Sequence, residues 1–241
     1  MNLIALFIGS SVALSESKNL KLLKPTSINP IDISEAAQTR YRQWRELFDR
    51  LYVIESLKEE NLTSKQKKLL DEFSEDKGFW DTVSWGRSWY CGGGPERVKA
   101  SSSLRLDNVT YSPKNAHDFE LRTAWMEGVD GYGKGEFITY EFRPSSPKVT
   151  KILIYNGYCK SIKTWREYSR VKKLVLYING QAYALLSLQD SLSVQCFDVE
   201  PLQSRNKGRY LTLKFEIQEA YHGSKYDHVA ISEINFDGLD S

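Results

Sequence analysis

The chain has 241 residues, with 33 Lys and Arg against 31 Asp and Glu and a formal net charge of +2. That length holds one large domain, or a domain of about 150 residues with an appendage, and the even charge excludes both the basic footprint of a nucleic-acid binder and a strongly basic membrane patch. The three His and three Cys show no zinc-site spacing, and HExxH and P-loop motifs are absent, so the commonest catalytic machineries are excluded and function must lie in the chemistry of a surface.

Leu3 to Leu14 form an apolar run. It is too short for a membrane-spanning helix, which needs about 20 residues, but has the length of a secretory h-region. Residues 1–17 are therefore read as a signal peptide cleaved near Ala13 or Ser15, although Met1-Asn2 carries no basic residue. A buried N-terminal strand is the other reading. The protein is expected to be secreted, periplasmic or on the cell surface. Residues 18–36, with Pro25 and Pro30, read as a linker.

Residues 37–94 read as a helical hairpin plus a Trp/Gly-rich connector. Asp32 and Glu35 suggest a capping box. Tyr41, Trp44, Leu47, Phe48, Leu51, Ile54 and Leu57 then recur at helical spacing, which suits core packing. Thr63 and Gln66 mark a second cap, followed by Leu69, Leu70 and Phe73. Residues 78–95 contain three Trp and a Gly triplet. They read as an irregular packed segment or, alternatively, an exposed aromatic platform.

Beyond Val98 the period changes to two. Leu211, Leu213, Phe215 and Ile217 alternate with polar residues, as expected of a half-buried strand. Leu174, Leu176 and Ile178 lead to Asn179-Gly180, a hairpin signal, with Gln181 to Leu186 returning. Ile138, Tyr140 and Phe142 share one face, and Thr150, Ile152 and Ile154 another. Val194–Val199 and Val229–Phe236 complete the strands. The expected fold is mainly β, an antiparallel sandwich over residues 95–241 behind a small helical segment. Cys159 and Cys196 fall in strand-like stretches and read as core thiols.

Several motifs follow one another in this half. Ala100-Ser101-Ser102, Tyr111, Asn115, Asp118 and Thr123-Ala124-Trp125 come first. Trp125-x-Glu127-Gly128, Gly133-x-Gly135-Glu136, Asn156-Gly157-Tyr158-x-Lys160 and Ser169-Arg170-Val171-Lys172 follow. Tyr221-x-Gly223-x-Lys225-Tyr226-Asp227 and Ile231-Ser232-Glu233-Ile234 complete the set. In this order and spacing, residues 95–238 resemble the discoidin-like (F5/8 type C) domains of the galactose-binding-like fold. They are most similar to the glycan-binding, translocation-type variant of bacterial NAD glycohydrolases. Tyr168 and His228 depart from that variant, which has Asn and a second acid there. The resemblance does not extend to an NAD-cleaving domain, for which the residues ahead of the sandwich are too few.

The resemblance implies a discoidin-like jelly roll and a non-catalytic module of an exported bacterial protein, binding a glycan or glycoconjugate through loops at one end. Aromatic rings pack on sugar C–H faces, and fixed polar groups take the hydroxyls. On that basis the ligand-binding candidates are Tyr132, Asn156, Tyr158, Lys160, Trp165, Arg170, Tyr226 and Asp227. Asp118 is the candidate ligand of a structural calcium ion, the one cofactor the fold suggests. Trp125, Asp118 and Glu233 are favoured in structural roles, and Arg170 also suits an ion pair that locks a loop. The alternatives are docking to a host or cell-surface protein or to lipid, and hydrolysis by two of Glu127, Glu136, Asp190, Asp227 and Glu233.

Overall fold

The computed structural model describes residues 20–55, 59–68, 93–204 and 208–239. In chain order its elements are β1 (Lys21–Leu23), β2 (Ser27–Pro30), α1 (Glu35–Glu55), β3 (Arg97–Ala100), β4 (Arg105–Leu106), β5 (Val109–Thr110) and β6 (Trp125–Met126). There follow β7 (Phe137–Phe142), β8 (Lys148–Asn156), α2 (Ile162–Glu167), β9 (Tyr168–Ile178), β10 (Gln181–Ser187), β11 (Ser193–Leu202), β12 (Leu211–Tyr221) and β13 (Tyr226–Leu239).

The period-two pattern forms strands because successive side chains leave a strand on opposite faces, so an alternating sequence buries one face. Leu211, Leu213, Phe215 and Ile217 on β12 are all buried, as are Ile138, Tyr140 and Phe142 on β7. The strands make two layers. One runs β2-β11-β8-β13, with β6 beside β13; the other runs β10-β9-β12-β7-β3, with β1 beside β10. A parallel pairing of β13 with β9, at Tyr226↔Tyr168 and Ala230↔Arg170, joins the layers at one corner. Rings interlock between them: Phe236 lies 5.0 Å from Tyr140 and 4.9 Å from Phe142, edge to face. The buried Tyr140 hydroxyl donates to the Ala116 carbonyl at 3.1 Å, which satisfies its polar end.

The β9–β10 hairpin turns at Asn179 and Gly180, both at positive φ (50° and 82°), with Ile178 opposite Gln181. This is the two-residue connection that Asn-Gly favours. Cys159 and Cys196 are free and buried. Burial pushes the Cys159 thiol up to about 12, which leaves it unreactive.

The segment read as a linker takes part in the sandwich. β1 runs parallel to β10, and β2 runs antiparallel to β11, so these few residues add an edge strand to each layer. The helix that follows is capped two residues later than expected. The Ser34 hydroxyl accepts from the Ala37 amide at 3.2 Å, while Asp32 accepts from Ser34 at 2.9 Å in a local turn. Gln38 donates to the carbonyls of Ile33 and Lys160, tying α1 to the sandwich. The Thr63–Gln66 cap forms as expected: the Thr63 amide donates to Gln66 and the Gln66 amide to Thr63. The signal-like run, Leu57, Leu69, Leu70, Phe73 and the connector through residue 92 lie outside the described residues, as do the side chains of Trp44, Leu47, Phe48, Leu51 and Ile54. Among the described residues no helix is long and apolar enough to cross a membrane.

Candidate functional site

Three connections meet at one end of the sandwich: 127–136 between β6 and β7, 157–167 between β8 and β9, and 222–225 between β12 and β13. The third lies over the second. The Ser224 amide donates to the Arg166 carbonyl at 2.9 Å, and the Lys225 amide to the Glu167 carbonyl at 3.1 Å. Gly223 allows this approach, since a Cβ there would stand 2.4 Å from the Glu167 carbonyl oxygen. The first connection reaches the third through side chains. The Tyr132 ring stacks on the His222 imidazole with centroids 3.9 Å apart. Desolvation and the charge of the neighbouring Asp227 push the Tyr132 phenol up.

Tyr132, His222 and Asp227 thus form an exposed patch: a paired aromatic surface with a carboxylate at its rim. Its partially exposed Tyr is fixed by stacking rather than by burial. Tyr132 and Asp227 were legible as candidates. His222 was not, because a lone His in a polar turn carries no signal until its neighbour across the gap is known.

The other candidates fall differently. Asn156 is buried and spent on the backbone, donating to the Val171 carbonyl at 2.7 Å and accepting from its amide at 2.9 Å. Tyr158 is buried in a satellite core with Leu104, Ala124, Met126, Tyr168 and Ala230. Its ring meets Tyr111 and Tyr168 edge to face, and burial pushes its hydroxyl up to about 12. Tyr226, half-buried, packs on the same group and on Tyr168 at 4.5 Å. Arg170 is buried and forks onto Asp190 through Nε at 2.6 Å and through a terminal nitrogen at 3.1 Å. It also donates to the Trp165 and Tyr168 carbonyls. Its guanidinium lies 4.6 Å from the Trp165 ring, whose Nε1 donates to the Asn156 carbonyl at 2.9 Å. Asn156, Tyr158 and Arg170, expected at the ligand, are buried in the scaffold that carries the loops. Trp165 and Tyr226 are half-buried in it, and the Lys160 side chain is exposed beside it.

The carboxylates of Asp118 and Glu233 form a second polar centre. Asp118 accepts from the Thr123 hydroxyl on both oxygens, at 3.0 and 2.9 Å, and from the Glu120 amide at 3.0 Å. Glu233 accepts from the Glu120 amide through Oε1, but its buried Oε2 has no hydrogen-bond partner. Burial and the neighbouring Asp118 push Glu233 well above the ordinary carboxylate range. The two carboxyl groups converge on one buried, orphaned oxygen, and among the described residues no group of three or more His, Cys, Asp or Glu side chains is placed to hold a metal ion.

With these loops and sheets in place, family comparison is decisive. The family described as the NAD glycohydrolase translocation F5/8 type C domain matches residues 89–237. The chain belongs to this family. No curated protein matches it. Among solved structures, the F5/8 type C chain is similar to the CBM32-1, CBM32-2 and M60 catalytic domains of Clostridium perfringens ZmpB. Identity there is 12%, the TM-score is 0.45, and the match covers 64% of this chain and 15% of that one. The ZmpB CBM32 pair in complex with GalNAc matches at 11% identity and a TM-score of 0.46, covering 69% of this chain and 38% of that one. The Clostridium perfringens CpGH89CBM32-5 module, in complex with GalNAc-β-1,3-galactose, matches at 16% and 0.41, covering 61% of this chain and 99% of that one.

Proposed function

We propose that this F5/8 type C domain is a non-catalytic glycan-binding module of an exported bacterial protein, taking its ligand at the loop end around Tyr132. The observation that carries the reading is the exposed Tyr132–His222 stack with the Asp227 carboxylate beside it. A ring held in solvent by its neighbours offers a flat apolar surface for a sugar C–H face. Because the ring is already fixed, less side-chain entropy is lost on binding. Asp227 adds acceptors for hydroxyls. Lys160, exposed on the adjoining 157–167 connection, adds a donor.

Three of the five carboxylates that a hydrolase could use are engaged in the scaffold, which supports binding over turnover. Glu136 accepts from the Ser101 and Ser102 hydroxyls, Asp190 is paired with Arg170, and Glu127 is tied to backbone amides. Export is supported by the signal-like residues 1–17 and by membership of a translocation-domain family. We further propose that Asp118 and Glu233 contribute to holding a calcium ion, which would supply the partner that the buried Glu233 Oε2 lacks and fix the 118–123 loop.

The test is a glycan-array screen of the full chain, with and without Ca²⁺, beside anionic liposomes and chromogenic glycosides. Retention of oligosaccharide without glycoside turnover is the expected result. A folded sample that ignores the array and binds liposomes would replace this reading with lipid docking.

A further inference from the structure

The chain is nearly neutral, with 33 Lys and Arg against 31 Asp and Glu, but its charges are matched unevenly. On the sheets the cations have carboxylate partners. Arg97 and Lys99 share Glu141, Lys172 and Lys173 share Glu219, and Lys214 pairs with Glu216. The 157–167 connection differs. It carries Lys160, Lys163 and Arg166, all exposed. Among the described residues Lys160 and Arg166 make no ion pair. Lys163 reaches Glu167 only at 3.9 Å, with its own side chain 80% exposed, a pairing worth little in water. Lys225 is exposed too, and it joins this group, because its amide donates to the Glu167 carbonyl and the Ser224 amide to the Arg166 carbonyl.

These cations stand on a fixed mount. The Ser161 hydroxyl accepts from the Thr164 amide at 3.1 Å, and the Thr164 hydroxyl accepts from the Ser161 amide at 2.9 Å, a reciprocal cap on α2. Trp165 anchors the same turn through its bond to the Asn156 carbonyl. Lys163 and Arg166, three residues apart, share one side of the helix. The 222–225 connection joins this ledge to the aromatic patch. Its first residue, His222, stacks on Tyr132, and its last, Lys225, lies against α2. Three residues of chain reach at most about 10 Å, the span of a di- or trisaccharide. The two sides differ in sign. Asp227 and the exposed Asp130 stand on the Tyr132 side, whereas Lys163, Arg166 and Lys225 stand on the α2 side.

We infer that the α2 ledge is an anion subsite, so that the domain prefers acidic oligosaccharides: a neutral sugar ring lies on Tyr132, and a carboxylate or sulfate ester farther along the chain meets Lys163, Arg166 and Lys225. The inference rests on the glycan-binding reading of the Tyr132 loop. An anion at α2 meets cations that lack a close internal partner, while the same anion at Tyr132 would meet Asp227, so charge fixes the direction in which the ligand lies. The Arg166 guanidinium offers paired N–H groups to either kind of acid.

The test uses the full chain and matched neutral, carboxylated and sulfated forms of an oligosaccharide retained on the array, with affinities measured at about 50 mM and about 500 mM NaCl. An acidic form should bind about tenfold more tightly than the neutral form in low salt, the scale of two or three exposed ion contacts. High salt should remove most of that advantage. Which acidic form gains shows whether carboxylate or sulfate is taken. The advantage should disappear in the triple variant Lys163→Gln/Arg166→Gln/Lys225→Gln and persist in Arg209→Gln, an exposed cation at the far end of β12. The single variants should each lose part of it, which keeps the test available if the triple variant fails to fold. Equal affinities for the matched forms, or a preference that survives the triple variant, overturn the anion subsite and leave the glycan reading standing. A folded sample silent across the whole array removes the glycan reading and this inference with it. Binding to phosphatidylserine vesicles without binding to any acidic oligosaccharide overturns the inference in favour of an anionic bilayer.

Discussion

The imidazole of His222 lies flat against the ring of Tyr132, the two planes 6° from parallel. The partners stand ninety positions apart in the chain, and each restrains the other without burying it. Their stack is what turns a glycine-rich loop into a fixed surface. Removing the imidazole in His222→Ala frees the Tyr132 ring while leaving the sheets untouched. Glycan affinity should fall about fivefold to tenfold, corresponding to the roughly 1 kcal/mol of an aromatic pair, while the urea midpoint stays within error. Titration calorimetry and chemical denaturation together check this. A large loss of stability would mean that the stack is scaffold.

Arg170 belongs to the scaffold. Its fork onto Asp190, its carbonyl contacts and its place over Trp165 hold α2 to the start of β9. Lysine cannot reproduce a planar fork. Arg170→Lys should cost about 2–3 kcal/mol in urea unfolding, near the lower end for a broken buried pair because Asp190 is partly exposed. Loss of binding with full stability in this variant would return Arg170 to the ligand site.

His117 contributes a pH dependence of stability. Burial among Phe119, Tyr140 and Phe236 pushes it down to about 4. The unfolded chain takes up this proton near pH 6.5 and the folded chain only near 4, so stability is lost as the pH falls between those values, by up to about 3 kcal/mol. Glu233 acts in the opposite sense, because its raised carboxyl favours the protonated folded state as the pH falls. The comparison is therefore between wild type and His117→Gln over pH 7 to 4. The variant should show the shallower loss, and parallel profiles would contradict the assignment.

The Asp118–Glu233 centre distinguishes a bound cation from a shared proton. Ca²⁺ at a hundred times its dissociation constant should stabilise the fold by about 2.7 kcal/mol, read as a raised thermal midpoint. The shift should vanish in Asp118→Asn and Glu233→Gln and shrink at pH 5, where protons compete. Equal midpoints with Ca²⁺ and with chelator at pH 7.5 would leave the pair as a proton-sharing structural device.

The sandwich was legible because period-two alternation is strong in β7, β9 and β12, and because Asn179-Gly180 names its own turn. β1 and β2 were not, for physical reasons. They have three and four residues, flank Pro25, and gain their order only from the neighbouring β10 and β11. The site was half legible. Aromatic and polar residues near turns mark loop ends correctly, but their side-chain direction is a tertiary property. Tyr158 follows a strand end and looks free, yet the satellite core around Tyr111 and Tyr168 takes it. Arg170 and Asn156 read as hydroxyl-binding groups until their backbone and Asp190 partners are visible.

The most direct measurement compares array binding of wild type, Tyr132→Ala and Tyr158→Phe, each shown to be folded by circular dichroism. Tyr132→Ala should lose most of the signal, at least tenfold in affinity by the scale of a stacked aromatic contact plus its hydroxyl bond, and Tyr158→Phe should bind as wild type. Binding that survives in Tyr132→Ala and disappears in Tyr158→Phe would contradict the placement of the site on the exposed Tyr132–His222 surface.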